Sequence, residues 1–205
     1  MPISHNPKLL ALVSRARNIL LQPDAEWEKI EAEPATVTGL FKDYVAILAA
    51  LPAVFGFFMK IIFGYDLLGF SVRPGFMNGL AGAVASYVMS LIGVAVLGFA
   101  INFLAPYFHG QKNIVQAFKV AAYSATAAWL AVTLAFLPMI GGIISLAGFY
   151  SFYLLHGGLQ KLMKSPPDQM LVYTLVVACA TAASWIMISL LIMPSAPVPT
   201  MPVKW

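Results

Sequence analysis

From Gly79 to Leu104 the chain carries no charged residue, and four other stretches are nearly as apolar. A helix needs about 20 mostly apolar residues to cross a hydrocarbon layer roughly 30 Å thick. The candidate spans are Thr38 to Phe63 (Asp43 at its start, Lys60 near its end), Gly79 to Leu104, Val115 to Leu137 (Lys119 on its first turn), Ile140 to Leu159, and Met170 to Met193. The third and fourth are separated at Leu137-Pro138-Met139-Ile140-Gly141-Gly142, where proline ends a helix and paired glycines allow a tight reversal. Pro52 inside the first span predicts a kink or local packing adjustment.

Composition agrees. The chain is 60% hydrophobic and 10% charged, against about 45–50% and about 25% in an ordinary globular domain. That excludes a soluble enzyme, a nucleic-acid-binding domain and a disordered tail, and the single cysteine excludes an internal disulfide framework. The expected fold is all-α: a polytopic integral membrane protein of five transmembrane helices with a cytoplasmic amphipathic amino-terminal segment. Its divisions are 1–37, the membrane domain 38–193, and a proline-rich extracytoplasmic tail 194–205. The first strongly apolar run starts near position 40, too late for a signal core.

Orientation follows from the basic residues. Five spans gather Lys8, Arg15, Arg17, Lys29, Lys42, Lys112, Lys119, Lys161 and Lys164 on one side, and leave Lys60, Arg73 and Lys204 on the other. The positive-inside rule places the amino terminus in the cytoplasm and the carboxyl terminus outside the cell membrane.

In the amino-terminal segment Leu9, Leu12, Val13, Ala16, Ile19 and Leu20 recur at helical spacing. Such a helix lies in the headgroup plane, with Lys8, Arg15 and Arg17 meeting anionic lipid headgroups. Pro23 restarts the chain, and Asp24, Glu26 and Glu28 follow in a first turn, where carboxylates favour the helix dipole. Trp27 and Ile30 give this second helix an apolar edge. One reading makes the pair a docking surface for a cytoplasmic protein partner; the other packs both helices on the mouth of the bundle.

Intramembrane hydrolases and proton-coupled pumps need ionisable groups at mid-depth. Here every acidic residue precedes the first span, opens it, or lies in a connection. No carboxylate pair, metal-ligand spacing, nucleophile elbow or phosphate loop is present. The expectation is no enzyme, no metal, no cofactor and no nucleic-acid partner. What recurs is a neutral polar layer near the cytoplasmic ends: Tyr44, Asn102, Tyr123, Tyr173 and Thr174, with Tyr150, Tyr153, His156 and Gln160 striping the fourth span. Asn102, Tyr123, Tyr150, Tyr153, His156 and Gln160 are the candidate ligand-binding residues of a vestibule open to the cytoplasm; an interfacial aromatic belt is the competing reading. Small residues (Gly141, Ser145 and Gly148; Ala121, Ala125 and Ala128; Ala178 and Ala182) mark close helix contacts. Trp129 and Trp185 are expected to be internal.

Three segments carry a family resemblance. They are Arg15-x-Arg17-Asn18-Ile19-Leu20-Leu21-x-Pro23-x-x-x-Trp27-x-x-Ile30; Phe118-Lys119-Val120-Ala121-Ala122-Tyr123-Ser124 with Leu137-Pro138 and Gly141-Gly142 beyond; and the run from Tyr150 through His156-Gly157-Gly158 to Lys164. Together they resemble the bacterial branch of the Yip1 domain family. The resemblance implies a cytoplasmic amino terminus, five helices and no catalytic activity. The family's Asp-Leu-Tyr-Gly-Pro motif has no match before the first span, so the Rab GTPase binding of eukaryotic members is not carried over. The leading expectation is a membrane-organising or adaptor protein; the alternative is a small transporter or channel for a neutral solute or lipid, entering through the vestibule.

Overall fold

The computed structural model describes residues 7–67, 70–135 and 148–192, without the side chains of 65–72, 135, 148, 185 and 188–192. The Pro138–Gly142 reversal, the Gly141 and Ser145 packing positions, the Trp185 side chain and the proline-rich tail lie outside the described residues.

Two short helices come first, α1 (Pro7–Leu21) and α2 (Pro23–Ala32). Pro23 supplies a preset φ at the first position of α2, and Asp24 and Glu26 occupy its first turn. The next helix, α3, runs from Val37 to Phe63. Thr36 caps its start by accepting from the Gly39 amide at 3.1 Å, and Phe41–Val45 forms a π-helical turn. The helix continues through Pro52 to Phe63 and ends at Gly64, whose φ of 76° suits a residue without a Cβ. A small antiparallel hairpin follows, β1 (Tyr65–Leu67) on β2 (Phe70–Val72), with Asp66 opposite Ser71. It adds a two-stranded element that the all-α expectation lacked. Then come α4 (Phe76–Leu104, prolonged by a 3₁₀ turn to Phe108), α5 (Ile114–Ala135), α6 (described from Gly148 to Met163) and α7 (Met170–Ile192).

Among the described residues three helices are long and apolar enough to cross a bilayer: Val37–Phe63, Phe76–Phe108 and Ile114–Leu134; Met170–Ser184 is a shorter apolar run. Helix α5 is the centre, in contact with α3, α4 and α6. Its inner face is mostly small, with Ala117, Ala121 and Ala122 fully buried, so neighbouring backbones approach where no hydrophobic force acts between helices in lipid. Phe118 is the exception; its ring packs on Gly98 of α4, where a Cβ would lie 3.0 Å from it. Trp129 is buried, as expected from its depth. Polar atoms inside the bundle bond across it: Tyr44 Oη with Thr126 Oγ1 at 2.8 Å, and Tyr173 Oη donating to the Ile101 carbonyl at 2.7 Å.

Helices α1 and α2 are part of this body. Trp27 and Ile19 are wholly buried and Ile30 is 1% exposed. Trp27 packs against Gly157 and Gly158 of α6, and a Cβ on Gly158 would stand 2.9 Å from Trp27 Cζ2 and Cη2 and 3.1 Å from Val120 Cγ1. The site is thus shaped for an indole and tolerates no added carbon. Gly158→Ala is expected to cost about 1–3 kcal/mol of unfolding free energy through overpacking, and Trp27→Ala about 3–5 kcal/mol through cavity formation. Denaturant unfolding of the full chain in micelles checks both. In the Trp27→Ala background the Gly158→Ala cost should largely vanish; an undiminished cost would show that the indole is not what the glycine accommodates.

Candidate functional site

A buried cation from the bundle holds the carboxyl end of the amino-terminal hairpin. Lys119, 3% exposed, extends its ammonium to the end of α2 and donates to the carbonyls of Ile30 (2.6 Å), Glu33 (2.6 Å) and, more weakly, Glu31 (3.4 Å). Gln116 Nε2 adds a bond to the Glu31 carbonyl at 3.1 Å. The last carbonyls of a helix have no intrahelical donor and carry the negative end of its dipole. A lysine amine with three hydrogens meets both needs at once.

A second cation holds the two amino-terminal helices to each other. Arg15 on α1 donates through Nη1 to Glu26 Oε1 at 2.7 Å and through Nη2 to both carboxylate oxygens of Glu33. Its guanidinium carbon lies 5.9 Å from the Tyr123 ring centroid. Burial opposes its charge, but the hydrogen bond and charge of Glu33 prevail, and its pKa is raised. Glu26 is itself buried, and this pair answers its charge. Around the rim, Lys161 binds Glu28 at 2.7 Å and Lys164 binds Glu31 at 3.1 Å. Deeper, Tyr150 Oη donates to the Leu20 carbonyl at 2.8 Å. From Tyr150–Leu20 through Gly157–Trp27 to Lys161–Glu28 and Lys164–Glu31, α2 runs parallel to α6 in steady register.

Docking splits the apolar stripe of α1. Leu12, Ala16 and Ile19 face inward and are buried, whereas Leu9, Leu10, Val13 and Leu21 are 50–67% exposed. Arg17 is exposed on the outer arc. Of the three basic residues expected at the lipid surface, Arg15 is thus engaged by carboxylates inside the hairpin. Between α1 and the start of α3 lies an open groove of about 840 Å³, lined by the apolar Leu9, Leu12, Leu40 and Ile47 and by the polar Lys8, Arg15, Glu33, Asp43, Tyr44 and Tyr123.

The six residues expected to line a vestibule are placed differently from one another. Tyr123 borders that groove beneath Arg15 and edges Trp27. Tyr150 is spent on Leu20, with Tyr153 tilted against it and 50% exposed. Gln160 is exposed. Asn102 is partly buried, and its Oδ1 has no hydrogen-bond partner. His156 Nδ1 lies 3.1 Å from Thr174 Oγ1 between α6 and α7. Thr174 gives its one hydroxyl proton to the Met170 carbonyl at 2.7 Å, so His156 Nδ1 is the donor in this contact. Two cavities among the described residues of the bundle adjoin each other. One of about 480 Å³ involves Lys60, Asn78, Ser86 and Ser90; one of about 290 Å³ involves Ser90, Ser124, Ser151 and Thr181; they share Ser90, Ala128 and Trp129.

Sequence reasoning assigned Lys119 to topology and passed over Glu26, Glu33 and Gly158 as parts of a dock. The available signals were a lysine one turn inside an apolar helix and a Gly-Gly pair within a helix opposite a lone tryptophan.

Apolar helices of spanning length, with a polar hairpin latched onto them through backbone carbonyls, define a helical membrane protein whose amino-terminal segment is an integral part of the domain. The chain belongs to the Yip1 domain family, whose model matches residues 17–192, from the last turn of α1 onward. It is 28% identical over 156 residues to the inner membrane protein YohC of Escherichia coli K12 and to that of Escherichia coli O6:H1 strain CFT073, covering 74% of this chain and 80% of each relative. No solved structure matches.

Lys119→Met removes the donor for the α2 carboxyl end, and leaving those carbonyls unpaired costs about 1–3 kcal/mol. Limited proteolysis at the exposed Glu33–Thr36 linker should accelerate in that variant; an unchanged rate would mean the latch is redundant. The Glu28 carboxyl, hydrogen-bonded by Lys161, is held below its ordinary value of 4.5, and Lys161 is raised above 10.5 by the same contact. Their pairing therefore contributes fully above the ordinary carboxylate value and below the ordinary lysine value. It is lost as pH falls through the depressed Glu28 value, or rises through the raised Lys161 value. A Glu28→Gln chain should be nicked faster than the parent at neutral pH and equally fast once acid has protonated Glu28.

Proposed function

We propose that this is a non-catalytic membrane-organising protein of the inner membrane, with five crossing segments, a cytoplasmic amino terminus and an extracytoplasmic carboxyl terminus. In this reading the α1–α2 hairpin is a lateral wedge in the cytoplasmic leaflet. The outer arc of α1 carries it: Leu9, Leu10, Val13 and Leu21 are half or more exposed although the inner arc is already satisfied. Acyl chains are the apolar phase available to such a face, and Lys8 and Arg17 are spaced to meet anionic headgroup phosphates. The register with α6 supports the placement. The eleven residues from Tyr150 to Lys161 rise about 16 Å, so the hairpin tip at Leu20 reaches well below the level of the Lys161 ammonium. The inner-membrane name of the YohC relatives supports the location. A hairpin inserted in one leaflet displaces lipid from that leaflet alone, which is the physical basis for organising the surrounding bilayer.

A spin label at Leu10→Cys, in a chain whose Cys179 is replaced by alanine, tests this in proteoliposomes. The label should be more accessible to oxygen than to a water-soluble nickel chelate, and a label at Lys29→Cys should show the reverse. Greater nickel access at Leu10 would remove the wedge and leave the outer arc to a protein partner, the adaptor form of this reading.

A second reading, a conduit for a small neutral solute, draws on the two cavities that share Ser90. Three of their hydroxyls give their protons to their own helices, Ser90 to the Ser86 carbonyl, Ser124 to Val120 and Thr181 to Val177, leaving oxygen lone pairs for a passing donor, and the buried Ser151 Oγ has no hydrogen-bond partner among the described residues. Glycerol entry into proteoliposomes that is abolished by Ser90→Leu is the expected result for this reading; leakage equal to protein-free vesicles argues against it.

A further inference from the structure

We propose that the groove between α1 and α3 binds one zwitterionic aminophospholipid, of the phosphatidylethanolamine class. The inference rests on α1 lying in the interfacial zone, as argued above, and names what that zone supplies. The groove's lining includes two cations and two anions, Lys8 and Arg15 with Glu33 and Asp43. Arg15 is committed to Glu26 and Glu33, which removes much of the attraction for a purely anionic headgroup. Asp43 has no ion-pair partner among the described residues. It stands on the exposed side of the π-helical turn at the start of α3 and lines the groove. A primary ammonium with three N–H donors is its natural complement, through a charge-assisted hydrogen bond. Lys8 supplies the opposite charge for the adjoining phosphate.

The rest of the groove fits the rest of such a lipid. Its walls are Leu9, Leu12, Leu40 and Ile47. From Ile47 an exposed apolar stripe continues along α3 through Leu51, Val54 and Phe58 to Ile62, each 41–56% exposed. These positions recur at helical spacing, so an acyl chain leaving the groove lies along one face of α3. The headgroup site and the chain track are continuous, which a site for a water-soluble zwitterion does not require.

Native mass spectrometry of the full chain in micelles tests the assignment with three lipids of matched chains: phosphatidylethanolamine, its N-acetylated derivative, which lacks the ammonium, and phosphatidylglycerol. The expected result is retention of phosphatidylethanolamine about tenfold tighter than either of the others, the scale of one charge-assisted contact. Asp43→Asn, which keeps the side-chain shape at an exposed position, should remove most of that preference while leaving the thermal midpoint of the lipid-free chain unchanged. Equal retention of the three lipids, or an undiminished preference in Asp43→Asn, would overturn the proposal. The Leu10 spin-label result separates the two ideas: a lipid-facing label without headgroup preference rejects the groove alone, and a water-facing label rejects the wedge whatever the groove retains.

Discussion

The ammonium of Lys119 against the last carbonyls of α2 is the contact on which the rest of the structure depends. A charged amine within the bundle is costly unless its hydrogens are matched, and two of its three bonds are 2.6 Å long to peptide oxygens. Because the partners are backbone atoms, the contact sets the position of the helix and not merely of one side chain. Once the end of α2 is fixed over α5, Trp27 can only fall on Gly157 and Gly158, and Arg15 has both Glu26 and Glu33 within reach. The rim pairs Glu28–Lys161 and Glu31–Lys164 then complete an arrangement they could not create, since exposed ion pairs each contribute at most about 1 kcal/mol.

A bilayer gives helices no hydrophobic reason to associate, so the bundle relies on close approach and on polar atoms that find partners. Both devices converge at α5. Its alanines let α3, α4 and α6 draw near, and Thr126 reaches a tyrosine of α3. The same helix offers Lys119, Gln116 and Tyr123 to the amino-terminal hairpin. Membrane packing and hairpin docking are therefore built on one element, and a change on α5 is felt on both.

Much of the fold was legible because its causes are local. Hydropathy located the described helix ends to within a few residues, and Pro23 marks a break that the backbone makes. Packing of both amino-terminal helices on the bundle was one of the two sequence readings, but which arc of α1 turns inward was not legible, for a physical reason. Apolar residues cover so much of its circumference that periodicity alone cannot say which arc is internal; Leu12, Ala16 and Ile19 are buried while Leu9, Leu10 and Val13 are not. Arg15 looked like a lipid-facing cation because its partners lie 11 and 18 residues away, on a different helix and in the linker beyond it. Lys119 resembled an orientation charge because a lysine in the first turn of a span usually is one. The six vestibule candidates share a depth by sequence, but depth does not fix which way a side chain points. The π-helical turn at Phe41–Val45 and the hairpin at Tyr65–Val72 left no comparable sequence signature.

The electrostatics change the meaning of the chain's basic character. A net charge of +4 suggests attraction to anionic surfaces, yet Lys119 is spent on carbonyls and Arg15, Lys161 and Lys164 are spent on carboxylates. The acidic residues of the amino-terminal segment are arranged chiefly to receive those cations, so the hairpin and the bundle largely neutralise each other where they meet. Much of what is exposed at this end is apolar, the outer arc of α1 and the stripe of α3. The charge count thus describes how the protein closes on itself more than what it attracts, and its contact with the bilayer is governed by shape and apolar area.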